Sequence, residues 1–254
     1  MTEIILCGCN GKMGKTVAQK IETTDDCVTV AGVDVFTQTD YRFPVHTSFK
    51  SMKNYKKAVI VDFSHPAVLN DLLEYALKNK LPCVICTTGL SSHQVEQIKE
   101  ASKEIAIFYS GNMSLGINLT IALSKLAAKT LGDEFDVEII EKHHNLKLDA
   151  PSGTALMIAD ALSNQYSDNK RFVYDRHVTR KKRDKQEIGI HSIRGGTIVG
   201  EHEIIFAGND EVVSIKHTAQ SKNIFAVGAV NAAIFISDKK SGMYDMGDLI
   251  LSKK

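Results

Sequence analysis

The 254-residue sequence predicts an α/β protein: a doubly wound parallel sheet, then a second α+β domain with an open mixed sheet. Three observations predict it. Up to about residue 113, short apolar runs alternate with helical patterns and are bounded by Gly or Pro, the mark of a parallel α/β sheet. After that point strand-like runs follow one another, separated by glycine pairs or polar turns, as in an α+β sheet whose strands are mostly antiparallel. Composition is that of an ordinary globular chain, 43% hydrophobic and 24% charged with a formal net charge of +1. That balance argues against a dominant nucleic-acid or membrane-surface role, and no apolar run approaches the roughly 20 residues of a membrane span.

Taken in order, residues 3–7 (EIILC) make a strand, and 12–22 place Met13, Val17 and Ile21 on one helix face. Strands follow at 28–34 and 58–63. Leu69, Leu72, Leu73, Ala76 and Leu77 give 66–79 a helical spacing. The run 82–86 (PCVIC) is a strand leading into Thr-Thr-Gly, 91–103 a helix and 105–109 (IAIFY) a strand. Next come a long helix (115–130), the strand FDVEIIEKHH, and the runs EIGIHSI, TIVGEHEIIFAG and EVVSIKHTA. Residues 223–237 are helical in composition and apolar almost all round, so this helix is expected to be buried. RKKRDK (180–185) reads as a solvated basic loop.

All five cysteines lie within the first 86 residues of the chain. An odd count, with an N-terminus that carries an acid early and turns glycine-rich instead of forming a signal peptide, points to reduced thiols and a cytoplasmic protein. Cys7 and Cys9 with Cys83 and Cys86 have spacings that suit zinc. Both pairs sit in or at the end of apolar strand runs, where cysteine acts as a small hydrophobe, so no metal is expected.

The stretch CGCNGKMGKT (7–16) admits two phosphate-binding readings. From Cys9 it lacks only the first glycine of the P-loop G-x-x-x-x-G-K-S/T; from Gly8 it resembles a dinucleotide turn with Asn10 where a second glycine is usual. Both would hold phosphate on backbone N–H groups at a helix N-terminus. A P-loop also needs an acid for magnesium, for which Asp62 stands available. A Rossmann-type dinucleotide fold needs an acid closing the second strand for the ribose hydroxyls. Asp34 closes VTVAGVD, twenty residues on from Gly14, the expected interval. Strand, glycine turn, helix, strand and acid in this order favour the dinucleotide.

The chemistry is concentrated in EIIEKHHNLKLDAPSGTALMIADAL (138–162). A strand ends in His143 and His144, Lys147 follows, and Ser152 is a good helix N-cap that leaves the Gly153 and Thr154 amides at the helix start. Titratable groups beside such a terminus suit an anionic ligand such as a carboxylate.

That segment resembles the signature E-I/V-x-E-x-H-x-x-x-K-x-D-x-P-S-G-T-A of the 4-hydroxy-tetrahydrodipicolinate reductase (dihydrodipicolinate reductase) family at every fixed position. GCNGKMG, DFSHP, TTG, SGNMSLGIN and IRGGTIVGEH resemble further motifs of the family, so the likeness extends over nearly the whole chain. The resemblance implies an NAD(P)H-dependent reductase of lysine and diaminopimelate biosynthesis, a homotetramer through the second domain's sheet, acting on a small dicarboxylate. It implies a dinucleotide domain over 1–113 completed by 223–254, and a substrate-binding and oligomerisation domain over 114–222. Carried over, Gly8, Cys9, Asn10, Gly11, Lys12 and Met13 contact the pyrophosphate and Asp34 the ribose. Cys86, Thr87 and Thr88, with Ser110, Gly111, Asn112 and Met113, line the nicotinamide. His143 and Lys147 are the proton-transfer residues, and His144, Ser152, Gly153 and Thr154 bind substrate carboxylates. Cys86 departs from the glycine usual in the family's G-T-T-G turn. Val35 and Phe36 follow Asp34 where members that use NADPH freely often carry arginine, so NADH is the expected preference over NADPH. A sibling amino-acid or amine dehydrogenase, a non-catalytic nucleotide sensor and a P-loop protein are the rival readings.

Overall fold

A computed structural model describes residues 1–37, 40–168, 170–178 and 180–252. In chain order the elements are β1 (Thr2–Cys7), α1 (Lys12–Glu22), β2 (Cys27–Val33), β3 (Val45–His46), β4 (Val59–Asp62), α2 (Leu69–Asn79), β5 (Cys83–Ile85), α3 (Ser92–Ser102), β6 (Ala106–Tyr109), α4 (Leu115–Leu131) and β7 (Asp136–His143). They continue with α5 (Gly153–Ser163), β8 (Arg171–Val173), β9 (Glu187–Arg194), β10 (Gly200–Ala207), β11 (Val212–Ala219), α6 (Asn223–Ile236), β12 (Gly242–Tyr244) and α7 (Met246–Leu251). The chain divides into two compact units, Met1–Leu115 with Asn223–Lys254, and Gly116–Lys222.

In the first unit a seven-stranded sheet runs in the order β12-β6-β5-β4-β1-β2-β3, all parallel. Its strands are apolar on both faces because both faces are covered. Ile4, Leu6, Val59, Val61, Val84 and Phe108 share one core with Val17 and Ile21 of α1 and Ala229, Ala232 and Ala233 of α6. Ile5, Cys7, Ile60, Cys83, Ile85 and Ile107 share the other with Leu69 and Leu72 of α2 and Ile98 of α3. Each large side chain so buried contributes about 1.5–3 kcal/mol. The small residues of α6 let that helix lie directly on backbone: a Cβ at Gly228 would sit 1.6 Å from the Met113 carbonyl oxygen.

The second unit holds a five-stranded sheet in the order β11-β10-β7-β9-β8. It is mixed: β10 is antiparallel to β7 and β11, while β9 is parallel to β7 and β8. The mostly antiparallel arrangement expected from successive strand runs is therefore corrected. The chain between β7 and β9 carries α5 and a long loop, and such a crossover returns a strand parallel to its predecessor. β10 and β11 form a hairpin. Val137, Ile139, Ile188, Ile190, Ile204 and Phe206 pack with Ile158, Ala159 and Leu162 of α5.

The basic run 180–185 is also not a simply solvated loop. Arg183 donates to Asp136 at 2.7 Å, Glu138 at 3.0 Å and the Glu187 carbonyl at 2.6 Å. Glu187, its side chain inaccessible, pairs with Arg171, Arg176 and Lys181. Gly189 leaves space for the network, since a Cβ there would lie 1.7 Å from Glu138 Oε2.

Gly228→Ala is expected to lower stability by about 3 kcal/mol or more, the upper range of overpacking costs, because the obstacle is backbone. Urea denaturation checks it; an unchanged midpoint would show that α6 can shift freely.

Candidate active site

At the sheet's switch point, β1 has β2 on one side and β4 on the other, and a cleft of about 440 Å³ opens at their carboxyl ends. Dinucleotides are expected at such a crevice in an open α/β sheet. Gly8 adopts φ +76°, and a Cβ there would lie 2.6 Å from the Phe63 carbonyl oxygen. At Gly14 a Cβ would meet the Gly8 oxygen at 2.0 Å, so α1 sits close under the loop. The N-terminus of α1 has no side-chain cap and no acid in its first turn, leaving its dipole uncompensated. Asp34 accepts the Asn10 N–H at 2.9 Å and the Phe36 N–H at 3.2 Å, fixing its carboxylate in the cleft.

Gly8, Asn10, Gly11 and Asp34 are thus brought together. The side chains of Cys9 and Met113 are buried in the core, so each can offer only backbone to a ligand. Lys12, Met13, Thr88 and Ser110–Met113 do not line this cleft. Cys86 and Thr87 are tied to it indirectly through Asp62. The Asp62 carboxylate accepts Thr87 Oγ1 at 2.7 Å, Ser64 Oγ at 2.5 Å and the Ser64 N–H at 3.0 Å, and its backbone carbonyl takes the Cys86 N–H at 2.9 Å. With both oxygens engaged by the protein, Asp62 is a loop anchor, not the magnesium ligand a P-loop would require. Burial pushes the Cys7, Cys83 and Cys86 thiols up, so these are thiols, not thiolates.

In the second unit the alternation of β7 places Glu141 and His143 on the face that carries Val137 and Ile139. Register sets Glu141 beside Ser192 of β9 and His202 of β10, His202 beside His217 of β11, and His143 beside Arg194. The core face therefore turns polar toward one end. Glu141 is fully buried. Arg194 grips it with two nitrogens, Nη1 to Oε2 at 2.9 Å and Nη2 to Oε1 at 2.7 Å. Its Oε2 lies 2.6 Å from His143 Nδ1, and its Oε1 accepts the Ser152 N–H at 3.2 Å. Burial opposes ionisation, but the hydrogen bonds from Arg194, Ser192 and His143 outweigh it and pull the Glu141 carboxyl down to about 2.

Burial lowers the pKa of His143, helped by the charges of Lys147 and Arg194 and opposed by Glu141. His202 packs edge-on to it at 5.3 Å and is pushed down to about 4, chiefly by burial. Gly200 completes the surround, since a Cβ there would stand 3.2 Å from His143 Nε2. Lys147 pairs with Asp149 at 2.8 Å. His144 Nδ1 is buried without a hydrogen-bond partner among the described residues. Gly153, the exposed first residue of α5, has open space where a Cβ would be.

Ser152 is the N-cap of α5. It is buried, its hydroxyl accepts the Ala155 N–H at 3.1 Å and bonds His202 Nε2 at 3.1 Å, and its N–H is taken by Glu141. Sequence reasoning missed Glu141, Arg194 and His202. Their signal was positional: Glu141 shares a strand face with His143 two residues on, and the other two lie in IRGGTIVGEH.

A family model described as dihydrodipicolinate reductase, N-terminus, matches residues 2–113, and one described as its C-terminus matches 116–250. This chain belongs to the dihydrodipicolinate reductase family. Among members of the reductase family, the 4-hydroxy-tetrahydrodipicolinate reductase of Caldanaerobacter subterraneus subsp. tengcongensis is 50% identical over 98% of both chains. That of Clostridium novyi is 45% identical over 100% of both. A solved dihydrodipicolinate reductase from Paenisporosarcina sp. TG-14, with dipicolinate bound, superimposes with a TM-score of 0.79 at 24% identity, covering 96% of this chain and 97% of that one; at that identity the likeness shows the fold.

Glu141 links this reductase's stability to acid. Its folded pKa lies below its unfolded value, so its contribution is complete above the ordinary carboxyl value of about 4.3 and disappears as pH falls toward 2. The full effect is on the order of 3 kcal/mol. Urea midpoints of the second unit should fall more steeply from pH 5.5 to 3 in the natural protein than in Glu141→Gln; parallel curves would contradict the buried anion.

Proposed function

We propose that the chain reduces 4-hydroxy-tetrahydrodipicolinate to tetrahydrodipicolinate with a reduced nicotinamide dinucleotide, in lysine and diaminopimelate biosynthesis. The observation that carries the reading is the cluster of His143, Lys147 and the exposed Gly153 helix start on one carboxylate-anchored unit, in a chain half identical to a named reductase. Residues 1–113 with 223–254 hold the cofactor; residues 114–222 hold substrate and form the contacts of a cytoplasmic homotetramer.

The substrate is a dianion, and separate donors suit its two carboxylates. His144, Lys147 and the α5 start at Gly153 and Thr154 supply them, while Ser152 holds that start in place. That the Paenisporosarcina relative carries dipicolinate, a flat dicarboxylate, supports the same ligand class here. When bound, the dihydronicotinamide supplies hydride. Loss of the 4-hydroxyl as water gives the conjugated ring that the hydride and one proton reduce; Lys147 and the helix start stabilise the negative charge left on that ring, and His143 and Lys147 transfer the proton. Gly8 to Met13, Asp34, Cys86 to Thr88 and Ser110 to Met113 orient the cofactor, several through backbone alone.

NADH is the preferred donor in this proposal. The described residues lining the switch-point cleft include Asp34 and Asp71 but no Lys or Arg. A 2′-phosphate would face a fixed carboxylate with no cation among those lining residues, a repulsion of roughly 1–3 kcal/mol at ordinary effective dielectrics; Lys12, the loop cation that could pair with it, is not among them.

Loss of NADH absorbance, with substrate generated in situ from aspartate semialdehyde and pyruvate by the preceding synthase, tests the activity; no signal would overturn it. In that assay kcat/KM should be at least about tenfold higher with NADH than with NADPH, and the reverse order would refute the preference. Lys147→Met and His143→Ala should each lose roughly 10²–10⁴-fold in turnover while NADH binding persists. Near-normal turnover in either would remove its assigned role.

A further inference from the structure

We propose that Glu141 is the positioning residue of this site: it holds His143 in the tautomer with hydrogen on Nδ1, so that Nε2 exchanges the proton with substrate. The inference rests on the reading that His143 transfers that proton. An ionised carboxylate can only accept a hydrogen bond. At 2.6 Å from Oε2, His143 Nδ1 must therefore be the donor, and the neutral ring carries its lone pair on Nε2.

The carboxylate is not free to turn away. Arg194 fixes its plane through two bonds, at 2.9 and 2.7 Å, and the same guanidinium donates to the Asp149 carbonyl at 2.6 Å. The Ser152 N–H occupies Oε1. On the other side of the ring, Gly200 places no side chain against Nε2. His202 presents only a ring contact, its own Nε2 being engaged by Ser152. The charged and titratable groups around His143 are Glu141 on its own strand, Arg194 from β9, His202 from β10, and Lys147 with Asp149 from the following loop. Among the described residues, Glu141 is the one anion in direct contact with the ring.

In the imidazolium, Nε2–H is the proton given to the reduced ring, the Nδ1–H bond to Glu141 persists, and neutral imidazole remains. Glu141 takes no proton; it makes the cation easier to form and keeps the correct nitrogen toward substrate. The same carboxylate seats the start of α5, so one group sets both the proton donor and the anion cradle.

Long-range proton–nitrogen NMR of protein labelled with ¹⁵N-histidine, with His143 assigned by its loss in His143→Ala, should find neutral His143 protonated on Nδ1. A ring protonated on Nε2 would overturn the proposal. Glu141→Gln should lower kcat about 10²-fold and move the His143 limb of the kcat/KM profile to lower pH. It should cost less than about threefold more when added to His143→Ala, because interacting residues are non-additive. An unmoved limb or a fully additive loss would contradict it. Were the natural protein without turnover, the proposed reaction would fall, and the NMR measurement alone would still decide the tautomer.

Discussion

A buried carboxylate is unstable unless its surroundings answer it, and the second unit is arranged around that constraint at Glu141. Period-two alternation along β7 sends this acid to the face that buries Val137 and Ile139. There its lone pairs must be matched or it costs several kcal/mol. Arg194 from the parallel neighbour β9, His143 from the next position on the same face, and the Ser152 amide at the start of α5 supply the match. Each answer also fixes a piece of chemistry: the imidazole is oriented, the helix start is pinned, and the loop bearing Lys147 is closed through the Asp149 carbonyl. Strand order matters here, because only a parallel β9 in this register brings Arg194 opposite His143.

The first unit uses the same device in a different role. Asp62 ends β4 as a buried acid and is answered by Ser64 and Thr87. It joins the loops after β4 and β5 beside the switch-point cleft. The loop over that cleft is shaped sterically. Gly8 and Gly14 have no room for a Cβ because loop and helix backbone pack against each other, and this close approach leaves backbone amides available for phosphate.

The parallel sheet, the glycine loop, Asp34 and the segment from His143 to Thr154 were legible in the sequence because each has a local pattern. The buried helix α6 was legible from its continuous apolar run. The short strands β3, β8 and β12, two or three residues each, and the six-residue α7 carry too little periodicity to be seen. The parallel partner of β7 was hidden because pairing depends on the path of a crossover, not on either strand's composition. Arg183 looked like one of several surface cations; its role is set by acids on β7, far from it in sequence. Likewise Ser152 has the residue type of a ligand and the location of a ligand. Only its burial and its bonds to Glu141, His202 and Ala155 show that its hydrogen-bonding groups are already engaged.

Transfer of label tests the central claim, a hydride passed from nicotinamide to a dicarboxylate ring, most directly. Substrate formed in situ is reduced with NADH carrying deuterium at both C4 positions of the nicotinamide, and the product is weighed by mass spectrometry. Tetrahydrodipicolinate heavier by one mass unit is the predicted result. Cofactor that binds while the ring remains unlabelled would contradict it.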